Sequence, residues 1–164
     1  MPNLFQPEFD SEAERTGFTY RRARLGRQAG SERLGASLYE LPPGQAQWPL
    51  HYHLGNEELL IVLAGEPTLR TLEGDRQLAQ GEVVALPIGE RGAHQVVNRT
   101  SEPVRILLVS EMGGPDVVVR PESGKLSAFG GAPGAREEGM HEVFFLRDAV
   151  EFWEGQEPPG SGSG

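Results

Sequence analysis

The chain has no cysteine. Disulfides are excluded, and so is thiolate ligation of any metal. Lysine occurs once, at Lys125, against fourteen arginines, and the formal net charge is -9. That balance disfavours nucleic acid and acidic membrane surfaces, since both need basic patches. No apolar run approaches the ~20 residues of a membrane-spanning helix. The opening MPNLFQPEFDSEAE lacks the basic-then-apolar order of a secretion signal. A cytoplasmic protein that binds neither nucleic acid nor membrane is the expectation.

A length of 164 residues suits one domain with one sizeable core. Gly 22 and Pro 13 fit many turns between short strands. Leu34–Leu41 alternates and reads as a strand, stopped by Pro42, Pro43 and Gly44. Pro67–Leu72 and Arg76–Ala79 form a hairpin about Glu73, Gly74 and Asp75. EVVALP after Gly81 is stopped by Pro87; His94–Asn98 and Val104–Ser110 follow, and Pro115–Arg120 adds one more strand. Such spacing predicts an antiparallel sandwich or barrel. Pro121–Glu138 reads as a surface loop. Leu146, Val150 and Trp153 stand at helical spacing before Gly155, which predicts a short helix over 146–155. Arg21, Arg22, Arg24 and Arg27 read as a solvated basic strand or turn.

The chemistry concentrates in Gly44–Gly65, GQAQWPLHYHLGNEELLIVLAG. His51 and His53 lie two apart, so on a strand both imidazoles face one way. Leu54, Gly55 and Asn56 read as a turn, and Glu57 and Glu58 open a second apolar run. If the two runs pair, a carboxylate returns beside two imidazoles, the donor types of a divalent-metal site. Alone, His-x-His is a weak signal. A third imidazole, His94, also falls at a strand end of the same sheet region. His141, the remaining histidine, reads as structural or surface.

Gly44–Gly65 resembles the first motif of the cupins, and Gly81–Asn98 resembles the second. The Gly81, Pro87, Gly89 and the His94, Asn98 spacings match, as does the fifteen-residue spacer Glu66–Gln80. One residue is inserted between Gly44 and His51 and two between Gly89 and His94, in turns, where insertions cost little. The resemblance covers about residues 33–110.

It implies an all-β jelly-roll barrel (double-stranded β-helix) over residues 31–120. An N-terminal arm at 1–30, a C-terminal extension with a short helix at 121–157 and a disordered tail at 158–164 complete the chain. The family's ligands carry over as His51, His53, Glu58 and His94, with Glu58 chosen over Glu57 by its motif distance to Gly65. One divalent transition metal per chain is implied, zinc, iron, manganese, nickel or cobalt. Gln47, Tyr39, Leu60, Val62 and Val96 are candidate pocket residues, and Pro87–Ala93 is a candidate loop at the mouth. Arg70 and Arg99 read as ordinary surface arginines. No side chain stands out as a general acid or base. A small metalloenzyme of oxygenase or isomerase type and a non-catalytic small-molecule binder both stay open. Phe144, Phe152 and Trp153 supply apolar surface for a homodimer.

Overall fold

The computed structural model describes residues 1–131 and 139–157. Among these the chain is nearly all β, with one short helix, α1 (Leu25–Ala29). The strands form three antiparallel sheets. The largest runs β1 (Ser11–Ala13), β2 (Tyr20–Ala23), β3 (Gly35–Leu41), β10 (Val104–Ser110), β5 (Glu58–Ala64) and β8 (Val83–Leu86). A four-stranded sheet runs β13 (His141–Phe145), β12 (Lys125–Phe129), β11 (Asp116–Arg120) and β4 (Tyr52–His53). The third is β7 (Gly74–Gln77), β6 (Thr68–Thr71) and β9 (Gln95–Val97).

The main core brings the six-stranded and three-stranded sheets together. Tyr39, Leu41, Leu60, Val62, Leu86, Val104, Ile106 and Leu108 from one meet Leu69 and Val96 from the other. Alternation explains which side of β5 faces it: Glu58, Leu60 and Val62 share one face, and Glu57 and Leu59 point away and are exposed. The other faces of β5 and β10 are apolar too, because Leu63 and Leu107 pack with Leu4, Phe9, Ala23, Leu25 and Leu38. The N-terminal segment thus covers the outer face of the large sheet. Each such side chain fully buried contributes about 1.5–3 kcal/mol. Among the described residues no helix is long and apolar enough to cross a membrane.

Three departures from the sequence reading have physical reasons. The basic stretch, read as a solvated strand or turn, is a strand, but one with its ends buried. It supplies β2, where Arg22 binds Ser11 Oγ at 3.0 Å, and then α1. The expected loop Pro121–Glu138 holds β12, whose flanking glycines hide it; residues 132–138 lie outside the described residues. The expected C-terminal helix is absent. Leu146–Asp148 is a single 3-10 turn, and the backbone is extended again at Ala149. The apolar stripe has nothing to pack on, since Leu146, Val150 and Trp153 are 45%, 69% and 76% exposed. A ten-residue helix without tertiary support is marginal in water. The tail at 158–164 also lies outside the described residues.

Candidate metal centre

Three segments converge on one point. β4 and the residue before it carry His53 and His51. His51 forms a two-way backbone bridge with His94: its N–H donates to His94 O at 3.1 Å, and its carbonyl accepts from the His94 N–H at 2.9 Å. Glu58 opens β5. Its Oε2 lies 3.5 Å from His53 Nε2 and 3.5 Å from His94 Nε2. One donor atom from each of His51, His53 and Glu58 lies within 4.8 Å of the others. The His51 ring is 4.5 Å from that of His94 and 5.3 Å from that of His53, centroid to centroid. Donors about 2.1 Å from one ion stand roughly 3–4.2 Å apart, so this set is near metal-holding spacing.

The orientation of the rings is fixed from behind. His51 Nδ1 donates to Pro49 O at 2.8 Å, His94 Nδ1 to Gly92 O at 2.9 Å, and His53 Nδ1 to Asp116 Oδ2 at 2.5 Å. With Nδ1 carrying the proton, each Nε2 presents a lone pair inward. Asp116 is buried and also accepts the Gly55 N–H at 2.9 Å. Two glycines allow these approaches. A Cβ on Gly92 would lie 1.7 Å from Pro87 O, and one on Gly55 would lie 2.7 Å from Pro115 O. Gly89 N donates to His53 O at 2.8 Å, pinning the Pro87–Ala93 loop to β4.

Glu58 Oε2 and His94 Nε2 are buried with no hydrogen-bond partner among the described residues, and so is Gln47 Nε2. Buried polar atoms left unpaired cost free energy, and a shared cation satisfies the acceptor pair at once. The residues therefore fit a divalent ion on three neutral imidazoles and one carboxylate.

Electrostatics favour the neutral form at two of the three imidazoles. Burial pushes His51 well below the ordinary histidine value, helped by His94 and His53; burial also lowers His94, with the Glu58 charge opposing it. Both imidazoles are kept neutral, as ligands must be. For His53 burial acts downward too, but the Asp116 hydrogen bond and the Glu58 and Asp116 charges outweigh it and raise its pKa. In the metal-free protein, His51 and His94 refuse protons that the unfolded chain takes up near 6.5. Their contribution to stability is present above that value and lost as pH falls below it. His53 has the opposite sign: its contribution is full below 6.5 and is lost as pH rises through its raised folded value. Below 6.5 the His53 contribution is constant and the two depressed histidines decide. Denaturant unfolding of chelator-treated protein is expected to show stability falling from pH 6.5 to about 5.5; a rise over that interval would contradict this geometry.

Of the other candidates, Leu60, Val62, Val96 and Tyr39 lie in the main core, with Leu60 and Val62 on the Glu58 face of β5. Gln47 is buried. Arg70 is held by Gln95 and by Glu122 at 2.8 Å, and Arg99 by Asp75 at 2.5 Å, so both are engaged in surface pairs. His141 stacks on Phe129 at 4.6 Å. Asn98 is a fastener: its Nδ2 donates to Leu41 O and Glu102 O. Sequence reasoning missed Asp116. The available signal was a carboxylate at the head of the apolar run DVVVR, where a buried acid must find a partner.

Residues 37–110 match the cupin domain family. No curated protein matches the sequence. A putative sugar phosphate isomerase of Acidithiobacillus ferrooxidans shares the fold with a TM-score of 0.76 at 23% identity, over 85% of this chain and 86% of that one. A sugar phosphate isomerase of the cupin superfamily from Silicibacter pomeroyi gives 0.76 at 21% identity, over 91% and 94%. A predicted oxalate decarboxylase of Thermotoga maritima gives 0.50 at 25% identity, over 57% and 80%. At the first two identities the likeness is one of fold. The domain match spans both histidine-bearing segments, so residues 37–110 belong to the cupin family.

Proposed function

We propose that the chain is a jelly-roll cupin that binds one divalent transition metal through His51, His53, Glu58 and His94. On this reading it is a small metalloenzyme, of oxygenase or isomerase type, acting on a small polar molecule inside the barrel. The observation that carries it is the set of three Nδ1–H bonds, to Pro49 O, Gly92 O and Asp116, which leave three Nε2 atoms free to ligate, two of them 3.5 Å from the Glu58 carboxylate. Zinc, iron, manganese, nickel and cobalt all suit this donor set. When bound, the ion would supply Lewis acidity, or oxygen chemistry if it is iron.

The chain's own residues do the rest. Asp116 holds the proton on His53 Nδ1, and Pro49 and Gly92 do so for His51 and His94. Leu60, Val62 and Val96 keep water from the interior, Gln47 offers an amide donor to a ligand, and Tyr39 closes the wall. A second reading, metal-dependent binding without turnover, is favoured by one observation: Asp116 is committed to His53 and Gly55, and Glu57 is exposed. Neither carboxylate is free to move a proton at the centre. Metal-loaded and chelator-treated protein, each incubated with small diols, thiols, ketoacids and sugar phosphates, separates the two readings. Metal-dependent product or oxygen uptake establishes the enzyme. Saturable metal-dependent binding with no product establishes the binder, and neither result with any compound contradicts both.

A homodimer is part of this proposal. Phe144, Phe152 and Trp153 are 49%, 81% and 76% exposed, and a second copy would cover them. Light scattering at micromolar concentration is expected to give twice the 17.9 kDa chain mass; the monomer mass would end that part of the proposal.

A further inference from the structure

The four-stranded sheet carries a second set of groups beside the histidines. In the β11–β12 ladder Lys125 stands opposite Arg120. In the β11–β4 ladder Val118 stands opposite His53 and Val119 opposite Tyr52. One step further along that register, Arg120 falls opposite His51. Residues opposite one another in an antiparallel ladder share a face, and neighbouring strands are about 5 Å apart. His51, Arg120 and Lys125 therefore form a row leading away from the imidazoles, with the two cations about one and two strand widths distant.

Both cations lack a carboxylate. Arg120 donates to Ser127 Oγ at 2.7 Å, and the Lys125 ammonium sits 5.0 Å from the centre of the Phe145 ring. Neither forms an ion pair among the described residues, although Arg21, Arg24, Arg70, Arg76, Arg99 and Arg105 all do. The acid that lines the same cavity, Glu122, is held by Arg70 at 2.8 Å. A cavity of about 390 Å³ opens against the two cations, lined by Arg15, Pro49, Arg120, Glu122, Ser123 and Lys125 among others. That is the size of a small-molecule site. The carbonyl of Pro49 in its wall is the acceptor that orients His51. Burial lowers the pKa of the Arg120 guanidinium. A partly desolvated cation without a counter-ion is costly, and an anion relieves that cost. On a chain of net charge -9, whose only lysine is Lys125, such a pair does not follow from composition.

We propose that Arg120 and Lys125 form an anion subsite, which seats the phosphate or carboxylate of a small ligand whose other end reaches the His51, His53, Glu58 and His94 centre. The reach to that centre rests on the metal reading; the anion subsite is built from residues outside the ligand set. The ligand class is a short polar molecule, a few carbons long, with metal-binding oxygens at one end and an anion at the other. Arg120 offers a fork of donors and Lys125 a point charge, a combination suited to phosphate or carboxylate oxygens.

The test titrates inorganic phosphate, and separately acetate, into chelator-treated full chain at constant ionic strength, followed by calorimetry. Saturable phosphate or acetate binding is expected, weakened about tenfold or more by Arg120→Gln and by Lys125→Gln and largely kept by Arg120→Lys. Tighter phosphate identifies a phosphate ester as the ligand class, and tighter acetate a carboxylate; both support the subsite. Binding is expected to persist in His51→Ala/His53→Ala, so loss of metal there would leave this proposal standing. Binding that vanishes in that double variant and survives in Arg120→Gln would place the anion on the histidines and overturn it. No saturation with either anion up to about 50 mM, in protein shown folded by circular dichroism, would overturn it as well.

Discussion

Replacing His51 and His53 together by alanine is expected to abolish stoichiometric metal binding while leaving the sheets intact. The two imidazoles are half of the donor set: His53 Nε2 lies 3.5 Å from Glu58 Oε2, and a ring nitrogen of His51 lies within 4.8 Å of both. Binding free energies for four-ligand zinc sites run to roughly 10–16 kcal/mol, so losing two donors weakens affinity by about 10⁴-fold or more. The fold should tolerate the change. The backbone bridge of His51 to His94 uses main-chain atoms only. Removing His53 leaves Asp116 with Gly55 N–H as its remaining partner, a cost of about 1–3 kcal/mol. Equilibrium dialysis against cobalt or zinc, with far-ultraviolet circular dichroism on the same samples, gives both readouts. Unchanged metal stoichiometry in a folded double variant would show the site to be elsewhere.

Asp116→Ala should be nearly as severe, for a different reason. The carboxylate touches no open coordination position. It accepts from His53 Nδ1 and from Gly55 N, and it is buried. Its removal strands one buried and one part-buried donor at once, so stability should fall by about 2–4 kcal/mol. The imidazole would then be free to choose the other tautomer or to rotate, and metal affinity should drop about 10–100-fold. Asp116→Asn keeps an acceptor oxygen without the charge and should lie between. The charge has its own signature. Asp116 is a main reason the His53 pKa stands above the ordinary value against the pull of burial. In metal-free Asp116→Asn that pKa should move downward, followed by NMR titration of the ring. A folded Asp116→Ala protein with wild-type metal affinity would reduce Asp116 to a packing role.

Legibility in the sequence followed the range of the interactions. β3, β5, β6 and β8 to β11 lie where apolar runs, bounded by Gly, Pro, Asn and Asp, mark them, whereas the hairpin strand expected at 76–79 is β7 at Gly74–Gln77, an exposed polar strand whose turn lies at residues 72–73. β2 is charged on its solvent side and escaped that pattern, although Tyr20 and Ala23 anchor it in the core. β12 and β13 exist because they extend β11 edge to edge, which no local pattern announces. The C-terminal stripe had helical spacing but no partner surface. At the site, motif spacing chose Glu58, and the strand explains the choice, since Glu57 faces outward. Asp116 stands sixty-three residues from His53, and Arg120 meets His51 only through the β4–β11 register. Pairings of that range arise from tertiary structure and leave no mark on local composition.

The most direct test is elemental analysis of the protein purified without chelators, beside an EDTA-treated sample and the same sample after metal is added back. The result expected is about one equivalent of a divalent transition metal per chain, removed by EDTA and restored on addition. Iron would direct attention to oxygen chemistry, and zinc, nickel, cobalt or manganese to Lewis-acid chemistry or binding. No metal as purified and none taken up on addition would mean that the three histidines and Glu58 stabilise a structural sheet and hold no ion.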